Sequence, residues 1–252
     1  MEWIVVSLAS LLAGFVDAIV GGGGLILTPA LFAVFPTTHP ATLFGTNKSA
    51  SIWGTAAATW QFSRRVQIRW STMLPAAAVG FAASFGGAWL VTIVAPDFLR
   101  KLLPGILLAV LVYTLAKKDL GQHHTPRLQG RAEVLAACTI GLLIGFYDGF
   151  FGPGTGSFLV FLFVRWLGYD FLNASASAKL LTTATNLAAL ILFTLKGHVW
   201  WHYAVVLAVA NVVGSVLGTR MALKHGTGFV RVVFIFVVSA LILKTGYDAF
   251  LR

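Results

Sequence analysis

Two lysines and two aspartates stand inside otherwise apolar stretches, and each type recurs at one interval: Lys48 with Lys179, and Asp17 with Asp148, 131 residues apart. An ammonium within a spanning helix costs about 2.5 to 3.5 kcal/mol on insertion scales, so it must face an acid, a bound anion or a polar hollow, unless it snorkels to an interface. Thr46, Asn47, Ser49 and Ser51 surround Lys48 in sequence, and Ser175, Ser177, Thr182, Thr183 and Asn186 surround Lys179. These are the donors that replace water around an oxyanion. Each aspartate lies four residues before a glycine run, where its carboxylate has three uses: pairing with a lysine, taking up a proton during transport, or capping the run's N–H groups.

The glycine runs are Gly21–Gly24 and Gly152-Pro153-Gly154-Thr155-Gly156, each followed by a short apolar stretch. Glycine costs about 1 kcal/mol relative to alanine in a helix and internal proline about 3, so a helix breaks at both places. Backbone freed at membrane depth survives only against protein or a water-filled cavity. A half-helix starting there would aim free N–H groups and the positive end of its dipole at that cavity, which favours an anion. The competing reading is that the glycines only let helices approach closely. The candidate substrate-binding set is therefore Lys48, Lys179, Thr46, Asn47, Ser177, Gly22, Gly23, Gly24, Gly154, Thr155 and Gly156, with Asp17 and Asp148 as coupling or structural acids.

These residues belong to a duplication. Leu11–Phe32 and Leu142–Phe163 align without a gap, with 9 of 22 positions identical, where composition alone would give roughly 2. The same shift pairs Trp70 with Trp201, Gly87 with Gly218 and Arg100 with Arg231. The predicted architecture is an all-α polytopic membrane protein of two homologous repeats, residues 1–116 and 132–252, joined by the polar linker 117–131, KKDLGQHHTPRLQGR. Apolar segments are predicted at about 3–20, 25–35, 41–62, 70–94 and 102–116, and again at about 134–152, 157–168, 171–195, 201–223 and 230–251. The second of each set spans roughly half a bilayer and reads as a half-helix or one arm of a re-entrant hairpin.

With 58% apolar and 10% charged residues, the chain has too few polar groups to coat a water-soluble body. The net charge of +10 sits between apolar segments instead of along a groove-lining stripe, which excludes nucleic-acid binding and points to topology. Five traversals per copy would invert the second copy relative to the first. With the N-terminus outside, the inner loops collect Arg64, Arg65, Arg69, Lys117, Lys118, Arg127, Arg131, Arg165, Arg220, Lys224 and Arg231. The outer loops and tail hold Arg100, Lys101, Lys196, Lys244 and Arg252. The linker is then cytoplasmic and both termini periplasmic, and Met1-Glu2-Trp3 begins a retained first span.

Other reactive residues point away from chemistry. Cys138 is the single cysteine, set in an apolar helix, so packing is its role. His198 and His202 have the spacing of a helical metal pair, but no acid or cysteine completes a site, and they flank Trp200 and Trp201 as an interface belt would. His123 and His124 fall in the linker. Arg165 reads as a positive-inside anchor. Gly141, Gly145 and Gly149, and Gly214 with Gly218, read as close helix contacts.

GFVDAIVGGGGLILTPAL followed by LFGTNK, and GFYDGFFGPGTGSF followed by ASAK, resemble the TauE/SafE family, also called sulfite exporter or 4-toluene sulfonate uptake permease proteins. Within it, the likeness is nearest to a bacterial inner-membrane branch of unassigned substrate. The resemblance implies transport of anionic sulfur compounds such as sulfite, thiosulfate, taurine or sulfoacetate. It places the family's motifs on Gly21–Gly24, Asn47 and Lys48, and on Gly152, Gly154, Gly156 and Lys179. Ala178 stands where the first copy has Asn47, and Pro153 where it has Gly22, so any shared site is only approximately symmetric. The expected function is a secondary transporter working by alternating access, with a small anion and the bilayer as partners and no cofactor, metal or catalytic group. An anion channel is the alternative, ahead of a membrane-embedded enzyme or an assembly factor. Oligomeric state is open at this level, a homo-oligomer included.

Overall fold

The computed structural model describes residues 2–95 and 127–250 of the chain, so the predicted segment 102–116 and most of the linker lie outside the described residues. Among the described residues every regular element is helical. The first half holds α1 (Glu2–Val20), α2 (Gly24–Val34), α3 (Pro40–Ser63) and α4 (Trp70–Ile93). The second holds α5 (Gly130–Phe150), α6 (Thr155–Leu162, continued by a π turn over Phe163–Leu167), α7 (Phe171–Leu195) and α8 (Trp201–Phe250). The predicted segment 201–223 and residues 230–250 of the next fall within α8, whose one non-helical residue is Gly226 at φ 70° and ψ −163°. Five helices, α1, α4, α5, α7 and the Trp201–Gly226 part of α8, are long and apolar enough to cross a bilayer. The chain is a multi-pass membrane protein.

Local chemistry sets the helix starts. Pro40 opens α3 without wasting an N–H, and the His39 side chain accepts from Ala41 N at 3.2 Å. Asp170 caps α7, accepting from Asn173 N at 2.9 Å. The 11 residues of α2 fall on the predicted segment 25–35, and the 8 residues of α6 reach the end of the predicted segment 157–168 only with the 5-residue π turn that follows.

Small residues bring helices of opposite halves together. Along α1 and α8, Ser10 Oγ donates to Leu207 O at 2.7 Å, Gly14 lies against the Asn211 carbonyl, and Gly218 lies against that of Phe15. Along α5 and α4, Gly141 lies against Ala76 O, Gly145 against Gly80 O and Gly87 against Phe146 O. A shift of 131 residues turns each contact of the first set into one of the second, with the halves exchanged. Ser215 Oγ to Gly54 O at 2.6 Å and Ser84 Oγ to Thr185 O at 2.8 Å are another such pair. Close backbone approach of this kind is what holds helices together in lipid, where apolar burial supplies little drive.

Contacts also fix directions. α1, α3 and α8 run parallel, since Trp3 stacks on Tyr203, Thr46 Oγ1 accepts from Trp200 N, and Ser215 meets Gly54 further along. α3 and α7 run antiparallel, since Lys48 meets Asn186 while Thr59 meets Thr183. One end of the molecule, the Trp200 end, gathers Trp3, Phe35, Trp200, His202 and Tyr203. The opposite end carries Arg64, Arg65, Arg69, Arg127, Arg131, Arg165, Arg220 and Lys224 among the described residues up to Gly226, against Lys196 at the Trp200 end.

Candidate functional site

The two glycine runs meet each other at the junction of the halves. Gly21 (φ 80°) and Gly152 (φ 88°) hold equivalent left-handed positions that favour glycine, and a Cβ on Gly21 would collide with Gly156 backbone. Gly24 faces Pro153. Ser157 donates twice across this junction, through N to Gly21 O and through Oγ to Val20 O, both at 3.0 Å. The breaks are thus packed backbone to backbone. Thr155 is folded onto its own loop, donating through Oγ1 to Gly152 O at 2.7 Å, and Tyr147 OH donates to Pro153 O at 2.6 Å.

Beside this junction lie the four intramembrane charges, paired across the halves. Lys48 Nζ stands 2.7 Å from Asp148 Oδ1, and Lys179 Nζ stands 2.7 Å from Asp17 Oδ2. Each lysine therefore meets the acid of the other copy. The pairs differ in their third partner: Lys48 Nζ donates to Asn186 Oδ1 at 3.0 Å, and the equivalent of Asn186 is Thr55, whose hydroxyl turns back to Ser51 O and Ile52 O. Asp148 is buried and its Oδ2 has no hydrogen-bond partner among the described residues. Asp17 has a side chain 20% exposed and spends its second oxygen on Gly23 N at 3.3 Å. It pairs and caps at once. Two ammonium and two carboxylate groups cancel, so an anion can gain a lysine only by taking a carboxylate's place.

Several expected neighbours are distributed differently from their order in sequence. Asn186 serves Lys48, not Lys179 beside which it is read, because α3 and α7 cross at that level. Thr46 donates to Thr42 O and accepts from Trp200 N, so it braces α3 against the start of α8. Asn47 accepts from Ser51 Oγ at 3.4 Å, and Ser177 is buried two residues before Lys179. Gly22, Gly23 and Gly154 are buried in the two runs, with Gly24 half-buried.

Two clusters escaped the sequence reading. At the arginine-rich end, Arg69 Nη1 contacts both Glu133 oxygens at 3.1 and 2.9 Å, and Tyr169 OH donates to Glu133 Oε1 at 2.5 Å. Burial and that hydrogen bond hold the Tyr169 phenol well above its ordinary range. At the Trp200 end, His39 stacks on His198 at 5.2 Å, and His198 Nδ1 lies 3.2 Å from Thr42 Oγ1. Burial, with His39 and Lys196 nearby, lowers the His198 pKa. Both clusters join the halves, and neither repeats under the 131-residue shift, which is why a search for paired motifs passes over them.

A family profile described as Sulfite exporter TauE/SafE matches residues 6–245. The chain belongs to the TauE/SafE family. It is 37% identical over 241 residues to "Probable membrane transporter protein YfcA" of Escherichia coli (strain K12), covering 95% of this chain and 88% of that protein. It is 36% identical over 242 residues to "Probable membrane transporter protein ORF9" of Sinorhizobium sp., covering 94% and 89%. A "Probable membrane transporter protein" of Haemophilus influenzae is 33% identical over 236 residues, covering 94% and 91%. No solved structure matches. In this TauE/SafE chain the crossed lysine–aspartate pairs and the packed glycine breaks form one contiguous polar island between the halves.

Proposed function

We propose that the chain is a secondary transporter for small anions, sulfur oxyanions or organosulfonates such as sulfite, thiosulfate, taurine or sulfoacetate. The two copies form inverted repeats that rock about a shared site and expose it to either face in turn. The crossed pairing of Lys48 with Asp148 and Lys179 with Asp17 carries this reading. Buried charges in a spanning domain are costly and mark ion pathways, and here each bond spans the surface along which the halves would move. The opposed directions of the equivalent helices α3 and α7 and the exchange of contacts under the 131-residue shift support the inverted arrangement. The relatives' names and the family description support the transport class.

In this reading the packed junction is a closed state. Separation of the halves lengthens one lysine–aspartate contact, and an anionic oxygen replaces the carboxylate on the freed ammonium. Asp17 is the looser partner, being the more exposed. Gly23 N, which Asp17 caps, becomes a donor to the anion as the carboxylate withdraws.

The test is a thermal-shift panel on purified protein with sulfite, sulfate, thiosulfate, taurine, sulfoacetate and chloride, since a ligand of the folded state raises apparent stability with occupancy. A sulfur anion should shift the midpoint in the wild type and not in Lys179→Ala. Normal binding in both Lys48→Ala and Lys179→Ala would remove the site assignment.

A further inference from the structure

The seam between α3 and α8 carries two cavities in line. The first, of about 470 Å³, is an apolar groove bounded by Trp53 of α3 and by Val205, Val209 and Val213 of α8. The second, of about 550 Å³, lies at the arginine-rich end, where Trp60, Arg64 and Arg65 face Arg220 and Lys224. On α3, residues 53, 60 and 64 share one helical stripe, as do 205, 209, 220 and 224 on α8. Because α3 and α8 run parallel, the groove and the basic cavity follow one another along the same seam. From Trp53 to Arg64 the run is about 17 Å at 1.5 Å per residue, and from Val205 to Lys224 about 28 Å.

Three observations say what fits there. The stripe faces outward: Trp53 is 60% exposed, Trp60 59% and Val209 63%, which in a membrane protein means contact with lipid. The basic cavity has no acid among its described lining residues, and Arg64 stacks over the Trp60 ring at 4.4 Å, so its guanidinium is held at the mouth. The cavity also breaks the internal repeat, because the positions equivalent to Trp60, Arg64, Arg220 and Lys224 are Ile191, Leu195, Trp89 and Ile93. Positive charge distributed only for topology needs no cavity and no apolar groove on the same seam.

We propose that this seam binds one anionic glycerophospholipid, with its phosphodiester among Arg64, Arg220 and Lys224 and an acyl chain along Trp53 and Val209. Basic residues at the inner ends of spanning helices attract the anionic headgroups of that leaflet, and basic pockets between helices hold them. The site is separate from the crossed lysine–aspartate pairs, so it stands or falls independently of the transported anion.

The experiment uses the full chain in neutral detergent and follows tryptophan quenching by phosphatidylglycerol with brominated acyl chains. Brominated phosphatidylcholine and unlabelled phosphatidylglycerol are the comparisons, with inorganic phosphate as a soluble competitor. Phosphatidylglycerol should quench saturably, unlabelled phosphatidylglycerol should reverse it, and phosphate should not. Arg220→Gln with Lys224→Gln should weaken binding about thirtyfold, from about 1 kcal/mol per basic group, while Arg64→Lys with Arg220→Lys keeps it. Should the glutamine variant fail to fold, Val209→Trp fills the groove with the charges intact and should abolish the saturable phase. Equal quenching by phosphatidylcholine, full competition by inorganic phosphate, unchanged quenching in Trp53→Phe with Trp60→Phe, or cross-linking that shows a second copy of the chain on the seam would each overturn the proposal.

Discussion

At the scale of single residues, the crossed pairs make a sharp energetic statement. Removing one member of a buried ion pair strands its partner and costs about 3 to 5 kcal/mol, whereas replacing both with apolar groups of similar size is often close to neutral. Lys48→Met should therefore lower the denaturation midpoint strongly, and Lys48→Met with Asp148→Leu should recover most of that loss, read as a double-mutant cycle in detergent. No recovery would mean that the two side chains do not share their burial. The sequence marks all four charged residues by type and by interval, because ionisable groups are rare in apolar spans. It does not mark their crossing, since pairing within a copy and pairing between copies leave the same pattern along the chain. Asn186 shows the limit directly: it is seven residues from Lys179 and bonds to Lys48 because of a helix crossing that no local spacing encodes.

At the scale of elements, the helices are held by glycines that admit a neighbouring backbone. Gly14→Val would drive a side chain into the Asn211 carbonyl and part α1 from α8, and Gly145→Val would do the same to α5 and α4. Each should cost about 3 kcal/mol or more and cut the yield of folded protein, while Gly86→Val, which meets nothing within 4 Å among the described residues, should be tolerated; gel-filtration recovery after detergent extraction reads the difference. The latch at the arginine-rich end gives a second test. Glu133→Gln removes the charge that Arg69 contacts and the strong acceptor of Tyr169, so protease cleavage of the α3–α4 connection should speed up, and Glu133→Asp should restore part of the protection. Half-length helices and their glycine breaks were legible in sequence because backbone penalties are local. The latch was not, because Arg69 comes from the α3–α4 connection, Glu133 from the first turn of α5 and Tyr169 from the α6–α7 connection, and they form a group only after folding.

At the scale of the whole molecule, the two ends differ in chemistry and so should respond differently to their surroundings. His198 has a folded pKa below its unfolded value of 6.5, so as pH falls below 6.5 the unfolded chain takes the proton first. The stability present above that value is lost toward acid, and the thermal midpoint should drop between pH 7.5 and 5.5, with a shallower drop in His198→Gln. Charge distribution makes a second whole-molecule prediction. In a Cys138→Ser background, Lys196→Cys should react with an impermeant maleimide in intact cells and Gln67→Cys only after lysis; the reverse labelling would invert the topology. The crossed pairs also bear on how the chain is made. A nascent chain that has emerged only through its first copy holds Lys48 and Asp17 with neither Asp148 nor Lys179 to meet them. The early helices should then complete their packing only once the later ones have been inserted. Two half-length polypeptides expressed together could assemble, while either one alone would be left for the quality-control proteases of the membrane.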